Sequence, residues 1–268
     1  MRNLKRLALI TFTVLAVTAC SGSSKEDQVA QGSLLELNER AQYYLNDENY
    51  GEAVRYLEAI ESRYPGSANS EQNQLDLIYS YYQRQDYTNT LSIAERFLRA
   101  HPTSRNLDYV LYMAGLTNQA LGDNFLQDLF NIDRASRETT TIKNAYGNFE
   151  TLIQHFPNSK YALDASLRMT YLKKRVAKHE LEIAEFYEKR KAYVAVVNRC
   201  LGLLSRYPDT WAAQEARPLL KEAYEALGLT EMAAKTEQLI EQNKDKTYAD
   251  VEKPEDPDVT PPRVNATN

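Results

Sequence analysis

Four residue types that build catalytic centres and small secreted domains are scarce in this chain. It holds two cysteines, three histidines, one tryptophan and nine glycines in 268 residues. Two cysteines allow one disulfide at most, and Cys20 has another use, argued below, so Cys200 has no partner and the fold has no disulfide framework. Cys200 lies in the apolar run YVAVVNRCLGLL and reads as a small core residue. The histidines build no metal motif. His179-Glu180 opens like a zinc-protease helix, but Ile183 stands where the second ligand must be. His101 and His155 precede prolines at helix ends, where the helix dipole accounts for them. Neither G-x-S-x-G nor a P-loop occurs, so the expectation is no catalytic residue, no metal and no enzyme. Positive charge is also short, 32 Lys and Arg against 37 Asp and Glu, which argues against nucleic acid and anionic headgroups as partners.

No apolar run is long enough to span a bilayer. The longest, Leu7–Val17, is about 16 Å of helix against a hydrocarbon core of roughly 30 Å. Arg2, Lys5 and Arg6 precede it, and Val17-Thr18-Ala19-Cys20 closes it, so 1–19 reads as a secretory signal. Small residues running into a cysteine resemble the bacterial lipobox, in which the thiol takes diacylglycerol, the bond before it is cut and the new amine is acylated. That lipid on Cys20 is the one cofactor expected. One acyl chain, at about 0.8 kcal/mol per buried CH₂, binds marginally; three anchor for good. Residues 20–33, with Ser21-Gly22-Ser23-Ser24, form a flexible tether. By resemblance to the sorting pattern of enteric lipoproteins, Ser21 rather than Asp after the cysteine favours the outer membrane, with the body facing the periplasm.

From residue 34 the chain repeats itself. Arg63-Tyr64-Pro65-Gly66-Ser67, Ala100-His101-Pro102-Thr103-Ser104, His155-Phe156-Pro157-Asn158-Ser159 and Arg206-Tyr207-Pro208-Asp209-Thr210 each end an amphipathic stretch with a proline. Ser or Thr follows two residues later as an N-cap for the next helix. Counting back from each proline recovers the tetratricopeptide frame. The fold class expected is all-α, a tetratricopeptide-repeat solenoid of about five helix pairs. An N-terminal group over 34–159 has repeats near 34–67, 71–104 and 108–159. A C-terminal group over 160–243 has repeats near 177–210 and 214–243. Such pairs cannot bury their apolar faces alone; stacking makes the core continuous, and small residues such as Gly115 let helices approach. The third repeat carries an insertion near 124–141 whose Phe125, Leu126, Leu129, Phe130 and Ile132 are costly as a solvated loop and should pack on the body or meet a partner. Residues 164–191 lack Gly and Pro and predict one long helix joining the two groups. The tail 244–268 holds four of the nine prolines and few large apolar residues, which predicts disorder.

One set of residues is more specific than any repeat consensus. It comprises Leu75-Asp76-Leu77-Ile78-Tyr79 with Tyr81-Tyr82, Asp108-Tyr109-Val110-Leu111-Tyr112-Met113 with Gly115-Leu116-Thr117-Asn118, and Asp133-Arg134. It continues through Tyr171-Leu172-Lys173, Ala184-Glu185-Phe186-Tyr187 and Val194-Ala195-Val196-Val197-Asn198-Arg199. In these the chain resembles the BamD (ComL/YfiO) family, tetratricopeptide lipoproteins of the β-barrel assembly (BAM) machinery of Gram-negative outer membranes. The resemblance runs from about 35 to 242; the long acidic tail departs from it. It implies a non-enzymatic scaffold that helps insert β-barrel proteins. Its C-terminal repeats would dock the POTRA domains of BamA beside other BAM lipoproteins, and its N-terminal repeats would receive the β-signal of unfolded outer-membrane proteins. The other reading is a periplasmic repeat lipoprotein of another kind, for example one coordinating cell-wall synthesis.

Ligand-facing positions in such arrays lie on the inner face of each first helix. Here they are Asn38, Gln42 and Asn46, then Tyr79, Tyr82 and Gln83, then Tyr109, Tyr112 and Gln119. Alternating amides and phenols can pair with an extended peptide backbone and stack on its aromatic end. An ordinary solvated concave face has the same composition, so both readings stand. Arg199, in an apolar helix, suits a desolvated ion pair with a partner's carboxylate, or an internal one with Glu185 or Glu188.

Overall fold

A computed structural model describes residues 29, 31–125, 132–249 and 262–265. The signal segment 1–19, Cys20 and most of the tether lie outside these residues. Among the described residues the regular elements are ten helices: α1 (Leu34–Asn46), α2 (Tyr50–Arg63), α3 (Ser70–Gln83), α4 (Tyr87–Ala100), α5 (Leu107–Phe125), α6 (Ile132–His155), α7 (Ala162–Glu188), α8 (Tyr193–Arg206), α9 (Trp211–Ala226) and α10 (Thr230–Asn243). None is long and apolar enough to cross a membrane.

Local chemistry sets the helix ends. Ser33 opens α1 with a capping box: Glu36 N–H donates to Ser33 Oγ, and Ser33 N–H donates to the Glu36 carboxylate at 2.8 Å. Asn49, Asp86 and Thr210 cap α2, α4 and α9 by accepting from a backbone N–H. The described turns inside the pairs, those of the first, second, fourth and fifth, take a left-handed residue, Glu48, Gln85, Lys191 or Gly228, at φ of 55 to 72°. These recur 37 residues apart (48 to 85, 191 to 228), one helix pair per period. Only the last is glycine, so three side chains are held where L residues resist going.

The hydroxyls after the repeat prolines differ in what they do, and Ser67 caps nothing: its Oγ has no hydrogen-bond partner and Asn69 stands at the N-cap of α3. Thr210 is an N-cap, as the sequence predicts. Ser104 and Ser159 instead accept from the N–H groups of Asn106 and Tyr161 in short turns. Each also donates to an acid one repeat earlier, Glu71 and Asp108, both at 2.6 Å. These bonds stitch each turn to the preceding first helix.

The helices pair in chain order, and each second helix packs on the following first helix, α2 on α3, α4 on α5, α6 on α7 and α8 on α9; first helices also meet, α3 with α5 and α7 with α9. Five pairs result, in the tetratricopeptide arrangement. One core runs from Leu37 to Leu172 and a second from Ala177 to Ala233, so α7 serves both. Cys200 is buried in the second, where burial pushes its thiol up to about 12 and leaves it inert.

Two expectations change. Residues near 124–141 are not simply a loop between helices: α5 runs on to Phe125 and α6 begins at Ile132, so most of the insertion lengthens the third pair to 19 and 24 residues. Leu126, Leu129 and Phe130 lie outside the described residues. The tail is not disordered throughout either. Pro262–Asn265 rests on the N-terminal repeats, with Val264 packed against their core and Gln72 donating to its carbonyl at 3.0 Å.

Candidate functional site

The first helices α1, α3 and α5 carry all nine groove positions expected from the repeat frame, but the structure divides them. Asn38 is half-buried and donates to the carbonyl of Leu34 in its own helix at 2.9 Å. Asn46 is exposed where α1 ends, and Gln83 is half-buried where α3 ends. Tyr82 is half-buried with its ring 5.9 Å from that of Tyr87. Tyr79 is half-buried and meets Tyr50 edge-on at 5.7 Å. Burial and the hydrogen bond to Tyr79 raise the Tyr50 phenol above its ordinary range.

Tyr109, Tyr112 and Gln119 are not surface groups. They are 1%, 2% and 2% exposed, because the start of α7 covers that face of α5. Tyr112 stacks on Tyr161 at 4.8 Å and donates to Asp164 Oδ2 at 2.5 Å. Asp164 also holds Arg168 Nε at 2.6 Å, and Arg168 Nη1 donates to Gln119 Oε1 at 3.4 Å. Arg168 is 1% exposed, and a guanidinium that deep is tolerable only with a paired carboxylate. This cluster therefore joins α5 to α7 inside the protein. Tyr109 is buried nearby with its ring 6.0 Å from Tyr161, and burial lifts its phenol far above the ordinary value.

Between α1 and α3 sits a residue absent from the predicted set. Asp76, 0% exposed, accepts from Gln42 Nε2 at 2.9 Å on one oxygen and from Gln72 Nε2 at 2.8 Å on the other. Arg263 Nε approaches it to 3.5 Å. Burial raises this carboxyl above its ordinary 3.8; Arg263, then Gln42 and Gln72, pull it back. A carboxylate set inside Leu75-Asp76-Leu77-Ile78, one turn after Gln72, was the available signal for it. The arrangement can hold a cation at depth while amide groups meet a peptide backbone alongside.

At the far end of the array Arg199 is 42% exposed. Its partner is neither Glu185 nor Glu188 but Glu180, which takes Arg199 Nη1 at 3.1 Å and Arg206 Nη2 at 3.3 Å. The fork is thus half engaged and half open to solvent. Among the described residues no group of three His, Cys, Asp or Glu side chains could hold a metal.

The fold defines a helical-repeat protein whose first helices α1 and α3 carry half-buried amide and phenol groups around Asp76. Residues 31–239 match the family model YfiO, outer membrane lipoprotein, and the chain belongs to that family. It is 55% identical to the outer membrane protein assembly factor BamD of Pasteurella multocida (strain Pm70), covering 96% of this chain and 98% of that one. The same-named factor of Haemophilus influenzae (strain ATCC 51907 / DSM 11121 / KW20 / Rd) is 51% identical, over 98% and 100% of the two chains. That of Vibrio cholerae serotype O1 (strain ATCC 39315 / El Tor Inaba N16961) is 45% identical, over 86% and 96%.

Proposed function

We propose that this chain is an outer-membrane protein assembly factor that works by binding rather than catalysis. It is held at the periplasmic face of the outer membrane by lipid on Cys20. Its N-terminal repeats receive the β-signal of unfolded β-barrel proteins, and its C-terminal repeats dock the POTRA domains of a BamA-type subunit beside other lipoproteins of the complex. One observation carries the peptide-receiving role: Gln72 gives a side-chain amide to the main-chain carbonyl of Val264, in an irregular segment beside the Asp76 carboxylate that Gln42 also holds. A surface that pairs with one such backbone is suited to another. The open half of Arg199 supports docking at the other end, where a partner carboxylate would complete its fork.

A mild-detergent pull-down of the full-length lipoprotein, read by mass spectrometry, tests the assignment. A POTRA-bearing barrel protein at near-equal amount is the expected result, and cell-wall enzymes in its place would overturn it. Cys20→Ala should accumulate as an uncleaved precursor without lipid label; normal lipidation of that variant would remove the anchor.

A further inference from the structure

Asp76 and Arg263 form an unusual pair: a fully buried carboxylate on α3 and a cation that arrives from the opposite end of the chain. We propose that Asp76, with Gln42 and Gln72, forms a socket for an arginine side chain within an irregular or extended peptide, and that Arg263-Val264 fills it as a tethered self-ligand that incoming peptide must displace. The inference rests on the peptide-receiving reading of the N-terminal repeats and adds the chemistry of the ligand and its control.

Three features of the contact are independent of one another. The first is electrostatic. Gln42 and Gln72 each satisfy one oxygen of Asp76 but supply no charge, and a buried carboxylate needs a cation or must be protonated. Among the described residues Arg263 is the cation that meets it. The second is register. The chain after Lys253 contains Glu255, Asp256 and Asp258 and a single basic residue, Arg263, and it is this one that reaches the carboxylate. A segment lying on the surface by chance has no reason to bring its one cation to the one fully buried acid among the described residues. The third is the flanking contact: Val264 packs on the N-terminal core and its carbonyl accepts from Gln72, whereas Pro262 and Asn265 on either side are exposed. Charge, apolar anchor and backbone are each read once, as a peptide-binding face reads a motif.

The socket and the candidate groove share Gln42, which holds Asp76 at 2.9 Å. A peptide that uses Gln42 therefore meets the self-ligand. Tethering sets its local concentration on the order of millimolar. Against an intrinsic affinity on the order of 0.1 mM for so small a contact, that weakens an outside peptide by about tenfold.

The test uses the full-length chain in detergent, wild type and Arg263→Glu, with two fluorescent probes followed by anisotropy. One probe is a synthetic peptide of this chain's residues 258–268. The other is a synthetic C-terminal β-signal peptide of an outer-membrane β-barrel protein. The tail probe should bind Arg263→Glu, whose socket is empty, and the same probe carrying its own Arg263→Glu change should not; that control alters nothing in the protein. The β-signal probe should bind Arg263→Glu about tenfold more tightly than wild type, and unlabelled tail peptide should compete it off. Failure of the tail probe to bind, or equal binding of its charge-reversed form, overturns the socket. Equal affinity of the β-signal probe for both chains overturns the competition. Binding of the tail probe with no β-signal binding to either chain keeps the socket and sinks the β-signal assignment, which separates the two claims.

Discussion

Gly115 is where the packing of the third pair can be tested with one methyl group. It lies inside α5, and a Cβ built there would stand 2.4 Å from Phe149 Cε1 and 2.7 Å from Cδ1 and Cζ. Carbon atoms pack best at about 3.5–4.0 Å, so the overlap exceeds a full ångström and cannot be absorbed by small shifts. Phe149 has no room to yield: it is fully buried, with the Tyr112 ring 6.0 Å away. Overpacking of this kind costs about 1–3 kcal/mol, and so severe an overlap belongs at the upper end. Alanine returns about 1 kcal/mol through its better helix propensity. Gly115→Ala should therefore lose about 2 kcal/mol net, read as a lower urea midpoint at unchanged slope. Phe149→Leu should remove the conflict, so in that background Gly115→Ala should cost less by more than about 1 kcal/mol. A Gly115→Ala chain as stable as wild type, or strict additivity in the double variant, would refute the close-approach argument.

Other substitutions probe the turns, the socket and the interior cluster. Gln85 sits at φ 57°, so Gln85→Gly should hold or raise the thermal midpoint, whereas Arg84→Gly, at φ −80° one residue earlier, should lose about 1 kcal/mol. The opposite order in melting curves would contradict the left-handed turn. Asp76 has a folded value above its ordinary 3.8, so its burial favours folding at acid pH, and that contribution fades as pH rises through the raised value. Arg263→Glu removes the strongest influence holding that carboxyl down, and carbon-detected NMR should find it titrating higher still; an unchanged titration would mean the contact is absent in solution. Tyr112→Phe deletes the bond to Asp164 and should cost about 1 kcal/mol of stability while β-signal affinity is unchanged. Lost affinity with unchanged melting would return Tyr112 to the groove.

Periodicity made the array readable, because proline and the small-residue spacing act within one helix pair and appear in the sequence at fixed intervals. The 27-residue α7 was readable for the same local reason: nothing between residues 164 and 188 can stop a helix. The face of α5 was not. Whether an inner-face position meets solvent depends on the next pair, and here Tyr161, Asp164 and Arg168 arrive from α7 to cover Tyr112 and Gln119. A warning was present in Tyr109–Leu116, eight residues without a charge, which reads as a helix buried all round rather than one with a polar stripe. Asp76 was hidden in the opposite way. An acid among Leu75, Leu77 and Ile78 breaks the local pattern, and its partner stands 187 positions later in a stretch whose composition predicts no structure.

The sharing of α7 also bears on how a scaffold of this kind can work. Its first half supplies Ala165, Tyr171 and Leu172 to one core, and its second half supplies Ala177, Leu181 and Ala184 to the other. At the junction Arg175 Nη2 donates to the Gly122 carbonyl at 3.0 Å, and Lys173 pairs with Asp209 at 2.7 Å. The two repeat groups therefore meet inside one continuous helix with bonds reaching to both sides, not across a linker. A hinge there would have to break helix hydrogen bonds, expose the Arg168 and Arg175 guanidiniums and pull both cores open at once. If the proposed docking at Arg199 holds, a partner there would stand at a set distance from the Asp76 face, and a peptide leaving that face would leave at a set place relative to the partner. On the proposed function, the fold would therefore fix the separation between the receiving surface and the docking surface.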